Sequence, residues 1–351
     1  MLKFLDHIQK YLFWWIAGVI ASGLAVVYLW GGYPFSSTIC VVAALVMIYP
    51  SLVPLAFDKL PASLKQRYHI ILLSVLMNFV ILPGLAYLIG AMLLEHEPVL
   101  RLGLILLALL PGGGMVTTWA MKSEADMPTT IGIVLTNLLV AIVAVPFGLS
   151  FFINFFSLEQ VKKVSAAAVC TLGQATGGWL SCSLGTGAVS PMKIAVPILI
   201  VVIIPLMLAY LTQQIIVSNK DEAYFDKVKI VFGKFSNLGL LIVLFILMTL
   251  KNNRVIFDNP RILVDIFVPL VLLYLISFGL IFLLYRTFPN KEVGRAFVWG
   301  SYLRYITLAL GMAISLVFQD ERLAMLTTVI VLAYFIQIPS SFLLVKILKK
   351  Y

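Results

Sequence analysis

Residues 101–114 read RLGLILLALLPGGG, an apolar run that ends in one proline and three glycines, and residues 115–121 continue as MVTTWAM. Proline removes a backbone donor and glycine loosens a helix, so this stretch predicts a hydrophobic span with a break at 111–114. Because lipid leaves free peptide groups unsatisfied, the break belongs inside the protein or beside a polar cavity. Carriers bind solutes at breaks of this kind, near the bilayer midplane.

The composition is that of a membrane protein. Of the 351 residues, 62% are hydrophobic and 11% are charged, whereas soluble domains have about 45–50% and about 25%. We therefore predict an all-α polytopic membrane protein whose surrounding partner is the lipid bilayer. The net charge of +10 is assigned to Lys and Arg that flank the spans, so no nucleic-acid partner is predicted. The three cysteines have no metal-ligand spacing, and neither a cofactor nor a metal site is predicted.

Ten membrane spans are predicted from the rule that about 20 apolar residues cross a bilayer. They lie near residues 12–31, 36–57, 69–94, 100–121, 128–156, 190–217, 230–250, 262–285, 293–317 and 322–347. With the N-terminus inside, about twice as many Lys and Arg fall on the inside as on the outside. This bias predicts cytoplasmic termini, and the plasma (inner) membrane is the expected location.

Two inverted repeats of five spans each are predicted, over residues 1–156 and 190–351, separated by a small-residue-rich insertion at 157–189. An odd number of spans per half gives the halves opposite orientation. The fourth span of the first half is broken at 111–114, and the fourth of the second half contains GSYLRYIT near 300–307. Interrupted spans at matching positions of inverted halves indicate the binding site of a carrier.

The insertion at 157–189 has two interpretations. It is long enough to cross the membrane once, but an eleventh span would move the basic 218–235 loop outside and spoil the charge bias. A re-entrant or surface-lying segment is therefore preferred. Cys170 and Cys182 lie in this insertion, and a disulfide between them is left open.

The breaks expose the N-terminal amides of the second half-helices, which carry about half a positive charge and suit an anion. Pro111, with Gly112, Gly113 and Gly114, holds the first break open. Thr117 and Thr118 follow it, and their hydroxyls either bind a solute or bond back to a main-chain carbonyl.

Arg304 is the strongest candidate for a functional residue in the second break. A cation at membrane depth costs at least a few kcal/mol and rarely faces lipid. It either binds the solute or coupling ion, forms an internal ion pair with Glu124, Asp126 or Glu292, or lies nearer the surface than the span boundaries suggest. Beside helix N-termini, it would favour an anionic or strongly hydrogen-bonding solute.

Further polar residues complete the predicted site. Tyr305 and Thr307 belong to the second break. Asn78 and Asn137 lie mid-span and either line the cavity or link helices, and Gln337 has the same two alternatives. Glu124 and Asp126 follow the first break and are either proton carriers for coupling or solvated loop charges. Trp119 and Trp299 are either cavity walls or packing residues.

The residues around these breaks resemble the arsenite efflux permeases of the bile acid/arsenite/riboflavin transporter superfamily, relatives of the bile acid:sodium symporters. The stretch PGGGMVTTW at 111–119 is similar to the family's P-C-x-A-M-V-x-x-W, and MIYP at 47–50 matches its M-I-Y-P. Asn78 and Pro83 match N-x-x-x-x-P, and RYITLA at 304–309 falls on N-N-x-E-L-A. The resemblance covers nearly the whole chain apart from 157–189, and it implies a transporter of the arsenite efflux type.

The departures from that pattern imply a changed substrate or coupling ion. The family's cysteine, a soft ligand for a trivalent metalloid, is Gly112 here, and its glutamate is Thr307. Glycine has no ligand atom, whereas a thiolate binds such metalloids well. Val116 and Arg304 stand where the symporter branch has sodium-binding positions, and Asp126 falls on that branch's G-D aspartate. One hypothesis is that arginine replaces a bound cation and makes transport sodium-independent.

Four functions are compatible with these observations. The preferred one is a secondary transporter of the arsenite permease type, with altered specificity for a small anion or oxyacid and with a proton or sodium as possible coupling ion. The alternative is a symporter-like importer of an organic anion. An intramembrane enzyme is disfavoured because His7, His69 and His96 lie near span ends without a catalytic constellation. A transport-inactive receptor is the fourth. The oligomeric state is left open.

Overall fold

The computed structural model describes residues 2–33, 35, 37–55, 60–155, 191–219, 222–258, 260–317 and 322–350. Within these ranges the chain is helical, apart from connections and an isolated β-bridge between Tyr33 and Leu250. The predicted all-α class is therefore confirmed for the described part. The insertion at 157–189, with Cys170 and Cys182, lies outside the described residues.

The helices follow one another with short connections. They are α1 Leu2–Lys10, α2 Leu12–Trp30, α3 Ser37–Leu52, α4 Leu60–Leu76, α5 Leu82–Leu93, α6 Pro98–Leu109, α7 Met115–Lys122, α8 Met127–Phe155, α9 Pro191–Asn219, α10 Glu222–Met248, α11 Arg254–Asp258, α12 Arg261–Thr287, α13 Lys291–Tyr302, α14 Ile306–Val317 and α15 Arg322–Lys350.

The hydrophobicity of these helices establishes a polytopic membrane protein. Among the described residues, six helical stretches are long and apolar enough to cross a bilayer: Leu12–Trp30, Ser63–Leu93, Met127–Asn154, Ile230–Met248, Arg261–Thr287 and Ala324–Lys350. Helices α3, α9 and the two interrupted pairs, α6 with α7 and α13 with α14, lie at the other predicted spans. The total of ten spans and the inverted repeat remain predictions.

The outer surface of the bundle is apolar. Trp14, Tyr28 and Met92 are 71%, 73% and 82% exposed, and many Leu, Ile, Val and Phe side chains are exposed as well. A soluble protein rarely exposes contiguous apolar surface on this scale. Lipid is the solvent that suits it, so the chain is an integral membrane protein.

The helices pack as two groups. Helices α1, α2, α3 and α10 pack together, while α4 to α8 and α12 to α15 form a larger group. Helix α9 contacts both groups, and α3 packs against α14. The two interrupted pairs therefore belong to one group and meet the other group along α3 and α9.

A π-helical turn over Met77–Ile81 joins α4 to α5. Pro83 has no N–H to donate to the carbonyl of Phe79 four residues earlier, so the regular ladder ends here. Turns of this kind are frequent at functional sites because they redirect side chains. Asn78 lies in this turn and is fully buried.

Candidate functional site

The two helix breaks touch each other. Helix α6 ends at Leu109 and α7 begins at Met115, while α13 ends at Tyr302 and α14 begins at Ile306. A Cβ atom placed on Gly112 would lie 3.1 Å from the carbonyl oxygen of Leu303. The two breaks are thus in contact at Gly112, where the first break has no side chain.

Gly113 lies directly against the Tyr305 ring. A Cβ atom on Gly113 would approach the ring carbons of Tyr305 to 2.6–2.7 Å, which is closer than real Cβ contacts. A Cβ on Gly114 would lie 2.9 Å from the carbonyl oxygen of Ser51 at the end of α3. The glycines therefore do more than interrupt a helix, because they let two other segments approach the break.

The Arg304 guanidinium reaches the end of α6. Its Nη1 donates hydrogen bonds to the carbonyls of Ala108, at 3.1 Å, and of Leu110, at 3.5 Å. Arg304 is 7% exposed, so the cation is buried within the bundle. A side chain that extended to the membrane surface would be exposed, so this burial does not support that explanation of Arg304.

The same guanidinium also reaches the end of α13 and the π-helical turn. Nη2 donates to the Ser301 carbonyl and, at 2.8 Å, to Oδ1 of Asn78, and Nε is 3.5 Å from the Tyr302 carbonyl. All of these partners are neutral oxygens. Among the described residues no carboxylate pairs with Arg304, so the structure does not show the ion pair with Glu124, Asp126 or Glu292 that was one of three alternatives.

The guanidinium faces helix C-termini. We expected Arg304 to act beside the N-terminal ends of half-helices, but its charged group lies against the last carbonyls of α6 and α13. A helix C-terminus carries about half a negative charge, so a cation is stabilised there. Two such ends balance the arginine without a carboxylate.

Gln337 satisfies the main chain of Arg304. The Arg304 N–H donates to Oε1 of Gln337 at 2.9 Å, and Nε2 of Gln337 donates to the Arg304 carbonyl at 3.2 Å. Oε1 also accepts a hydrogen bond from the Tyr274 hydroxyl at 2.9 Å. Of its two predicted alternatives, cavity lining or helix linkage, the structure therefore shows Gln337 linking α15 to the second break.

Replacing Gln337 with leucine is expected to lower the free energy of unfolding by about 2 kcal/mol or more, because two buried main-chain groups lose their partners. Thermal unfolding of the purified protein in detergent measures this effect. Leu343→Ala is the control, since Leu343 lies on the exposed side of the same helix. Equal melting temperatures for Gln337→Leu and the wild type would show that the amide pairing contributes nothing.

A buried polar cluster surrounds Asn78. Its Nδ2 donates to the Gly300 carbonyl at 3.0 Å and to the Ser74 hydroxyl at 3.3 Å. Nδ2 of Asn137 donates to the same hydroxyl at 2.9 Å, and the Ser301 hydroxyl lies 3.4 Å from it. Asn78 and Asn137 thus link α4, α8 and α13, while Oδ1 of Asn137 has no partner among the described residues.

The N-terminal sides of the breaks hold a different set of hydroxyls. Thr117 donates back to the Gly114 carbonyl at 2.8 Å, and Thr118 is half-buried. Thr307, at the start of α14, is 7% exposed, and its Oγ1 lies near the Tyr305 hydroxyl but makes no well-formed hydrogen bond to any described residue. A buried hydroxyl without a well-formed hydrogen bond costs free energy, and a solute contact at Thr307 remains a prediction.

Tyr305 connects the second break to α3. Its hydroxyl shares a short hydrogen bond with Oγ of Ser51, which also donates to the Ile48 carbonyl at 2.6 Å. Ser51 belongs to one helix group and Tyr305 to the other. This contact therefore spans the two groups directly beside the glycines of the first break.

A narrow cavity adjoins Arg304, between Leu82, Ala108, Tyr274 and Tyr302. It has room for about one water molecule. A solute larger than water cannot enter it in this conformation.

Trp119 and Trp299 stack on each other, with ring centroids 5.8 Å apart. Nε1 of Trp299 donates to the Ser123 hydroxyl at 2.6 Å, and Nζ of Lys122 lies 4.5 Å from the centre of the Trp119 ring. The pair packs α7 against α13, which is the structural alternative of the two that the sequence leaves open.

Asp126 and Glu124 lie in the connection between α7 and α8. Oδ2 of Asp126 accepts from the Thr129 N–H at 2.9 Å, which caps the start of α8. Glu124 is exposed and pairs with Lys349 at 2.7 Å. Both carboxylates have structural partners here, and their role in coupling remains a prediction.

The Lys349 ammonium lowers the pKa of Glu124 below its ordinary value of 4.5, first through its hydrogen bond and then through its charge. A carboxylate whose pKa is lower in the folded state stabilises the protein at pH values above its unfolded-state pKa. That contribution is lost as the pH falls through the folded-state pKa. Unfolding of wild type and Glu124→Gln is therefore expected to differ slightly at neutral pH and to converge in acid. A difference that grows in acid would contradict this. Lys349→Met is the matched control.

Several residues of the site were not predicted. Ser74 is the common partner of Asn78 and Asn137, and Ser51 and Tyr274 bond to the second break. Ser74 lies four residues before Asn78, so helical spacing could have placed the two on one face. No local signal marks Ser51 or Tyr274, because their partners are distant in sequence.

Two interrupted helices in contact, with a buried cation at one side and the half-helix N-termini at the other, form an arrangement that is typical of membrane carriers. Residues 41–258 match the family model described as Sodium Bile acid symporter family, and the chain belongs to that family of transporters. The class inferred from the structure and the family therefore agree.

Two curated relatives refine this result. The chain is 26% identical to the arsenical-resistance protein Acr3 of Corynebacterium glutamicum over 231 residues, which cover 66% of this chain and 56% of that protein. It is 25% identical to Acr3 of Alkaliphilus metalliredigens over 373 aligned positions, covering 98% of this chain and 93% of that protein. The match thus spans little more than half of the first relative. The resemblance to the arsenite efflux permeases is confirmed.

Proposed function

We propose that this chain is a secondary transporter that exports a small anion or neutral oxyacid, with arsenite as the first candidate, by alternating access at the two helix breaks. The observation that carries the proposal is the contact between the breaks, with Gly112 against Leu303 and Gly113 against the Tyr305 ring. Membership of a transporter family and the similarity to arsenical-resistance proteins support it.

The proposed solute site lies at the N-terminal ends of α7 and α14. Half-helix N-termini attract anionic or hydrogen-bond-accepting groups in carriers. Thr307 supports this placement because its buried hydroxyl, which lies near that of Tyr305, makes no well-formed hydrogen bond within the described residues. Thr117, Thr118 and Tyr305 complete the proposed contacts, while Arg304, Asn78 and Asn137 hold the opposite side of the crossing together.

The proposed cycle moves one helix group against the other. In this conformation the site is closed, since the Ser51–Tyr305 contact joins the groups beside Gly113 and Gly114. Opening on either side requires this hydrogen bond to break. Ten spans in two inverted repeats, with cytoplasmic termini in the plasma membrane, complete the proposed arrangement.

The substrate is proposed to be bound without a thiolate. Gly112 has no side chain, and Thr307 offers a hydroxyl in place of a carboxylate. A hydroxylated oxyacid can be bound through hydrogen bonds alone, whereas a metalloid bound as a thiolate adduct would need a soft ligand. The specificity is therefore proposed to differ from that of a thiol-containing permease.

Arsenite accumulation tests the function directly. Cells that lack their own arsenic exporters are compared with and without this protein, after its presence in the membrane has been verified. Lower accumulation supports arsenite export and shows that Gly112 and Thr307 do not prevent it. Unchanged accumulation would rule out arsenite as the transported solute, and inverted vesicles would then be screened with other oxyacids and anions.

Sodium dependence separates the alternative function. The sequence Pro111-Gly112-Gly113 resembles the P-G-G of the symporter branch, so import of an organic anion is the second candidate. Uptake into proteoliposomes that requires an external sodium gradient would favour the importer. Transport that is unaffected when choline replaces sodium favours the exporter.

Replacing Thr307 with valine is expected to weaken solute binding about tenfold, the effect of losing one hydrogen bond of about 1.4 kcal/mol. The melting temperature should change little, because the hydroxyl makes no well-formed hydrogen bond to the described residues. Thr328→Val is the control, since that hydroxyl bonds to the Ala324 carbonyl on α15. Unchanged affinity in Thr307→Val would remove Thr307 from the site.

A further inference from the structure

Five oxygens from three segments surround the Arg304 guanidinium, and we call them the oxygen cage. They are the main-chain carbonyls of Ala108, Leu110, Ser301 and Tyr302 and the side-chain Oδ1 of Asn78. Two carbonyls belong to the end of α6 and two to the end of α13. The cage thus forms only where the two half-helices end side by side.

The chemistry of the cage is that of a cation site. Half-helix C-termini and unwound carbonyls coordinate Na⁺ or H⁺ at the midplane of carriers. Hard cations take oxygen ligands of the carbonyl and amide type. Each helix end carries about half a negative charge, so two ends together suit one monovalent cation.

The cage already contains such a charge, covalently attached to the chain. The guanidinium donates to every oxygen of the cage, and within the described residues no carboxylate competes for it. Asn78 in turn donates through Nδ2 to the Gly300 carbonyl at 3.0 Å. The arginine and the π-helical turn therefore neutralise the end of α13 together.

We infer that Arg304 is a built-in cation that takes the place of a dissociable coupling ion and holds the two half-helix C-termini together. A free ion must bind and leave in each cycle, and that exchange is how a cation gradient drives transport. A tethered cation cannot leave. Transport by this chain therefore does not use a sodium gradient.

This inference rests on the proposed function only for its consequence in transport. The assignment of the cage itself can be tested by protein stability, without any transported solute. A failed arsenite assay would thus overturn the proposed function and leave the stability result as it stands.

The test is the melting temperature of purified wild type and Arg304→Ala in detergent, measured in sodium chloride, methylguanidinium chloride and choline chloride at equal, moderate concentration. Sodium and methylguanidinium are small enough for the emptied cage, and choline controls for ionic strength. For Arg304→Ala we expect sodium or methylguanidinium to raise the melting temperature by about 2 °C relative to choline once the cation exceeds its dissociation constant about tenfold. Wild type should respond equally to all three salts.

Arg101→Ala is the matched control. Arg101 is also buried on α6, but its guanidinium stacks on the Tyr87 ring at 4.3 Å, away from the helix breaks. Its variant should lose stability without gaining a cation-specific response. A folded Arg304→Ala protein with no response to sodium or methylguanidinium would overturn the proposal.

Two further variants decide the matter if Arg304→Ala does not fold. Lysine brings a positive charge into the cage, whereas methionine has a similar length without charge. Arg304→Lys should therefore melt at a higher temperature than Arg304→Met, and equal temperatures overturn the proposal. A sodium-specific rise in the wild type overturns it whatever the variants do.

Discussion

In sodium-free medium, the Arg304→Ala variant is expected to reach the membrane and to show no transport above background. Removing the guanidinium leaves five buried oxygens without their donor, and each such group costs about 1–3 kcal/mol. Relief from burying a charge offsets part of this loss, so we expect the free energy of unfolding to fall by about 3 kcal/mol. The crossing that positions the proposed solute site would then lose its order.

Transport by Arg304→Ala is measured in the same cells as the wild type, with membrane protein quantified in parallel. Arg101→Ala, which also removes a buried arginine of the bundle, is expected to retain transport. Wild-type rates in Arg304→Ala would show that the cage has no part in function.

Replacing Gly113 with valine is expected to reduce transport at least tenfold and to destabilise the protein by about 1–3 kcal/mol through overpacking. The new Cβ would lie 2.6 Å from the Tyr305 ring. The ring cannot swing aside freely, because its hydroxyl bonds to Ser51 and its main chain adjoins the Gln337 clamp on Arg304. The breaks would have to separate.

Gly279→Val is the matched control for Gly113→Val. A Cβ on Gly279 in α12 meets no described atom within 4 Å. Its transport rate and melting temperature should stay close to wild type. If Gly113→Val also transports normally, the close approach of the two breaks is not required for function.

The sequence predicted a membrane carrier because its signals are local. The apolar composition, the Pro111-Gly112-Gly113-Gly114 break and the interruption near Arg304 are each legible without knowledge of the fold. The first break follows from the backbone chemistry of proline and glycine, and the structure has it between Leu109 and Met115. Asn78, Asn137 and Gln337 were singled out for polarity at membrane depth, and all three are buried and hydrogen-bonded.

The sequence did not predict which helix ends the Arg304 side chain contacts. Its backbone immediately precedes α14, so the sequence predicts the N-terminal amides as its neighbours. The side chain instead extends to the carbonyls of Ala108 and Leu110, which lie nearly two hundred residues away. An extended side chain reaches groups on other helices, and the position of those helices is not encoded in the neighbouring residues.

By itself, the sequence determined that this chain is an integral membrane protein of helices and that one span breaks at 111–114, and it singled out a cation within another predicted span. These features depend on the hydrophobicity and backbone chemistry of neighbouring residues. Only the tertiary structure decided that the two breaks meet, that Gln337 satisfies the main chain of Arg304, and that two helix C-termini neutralise its charge. Those contacts join distant segments, and their energy arises only when packing brings the segments together.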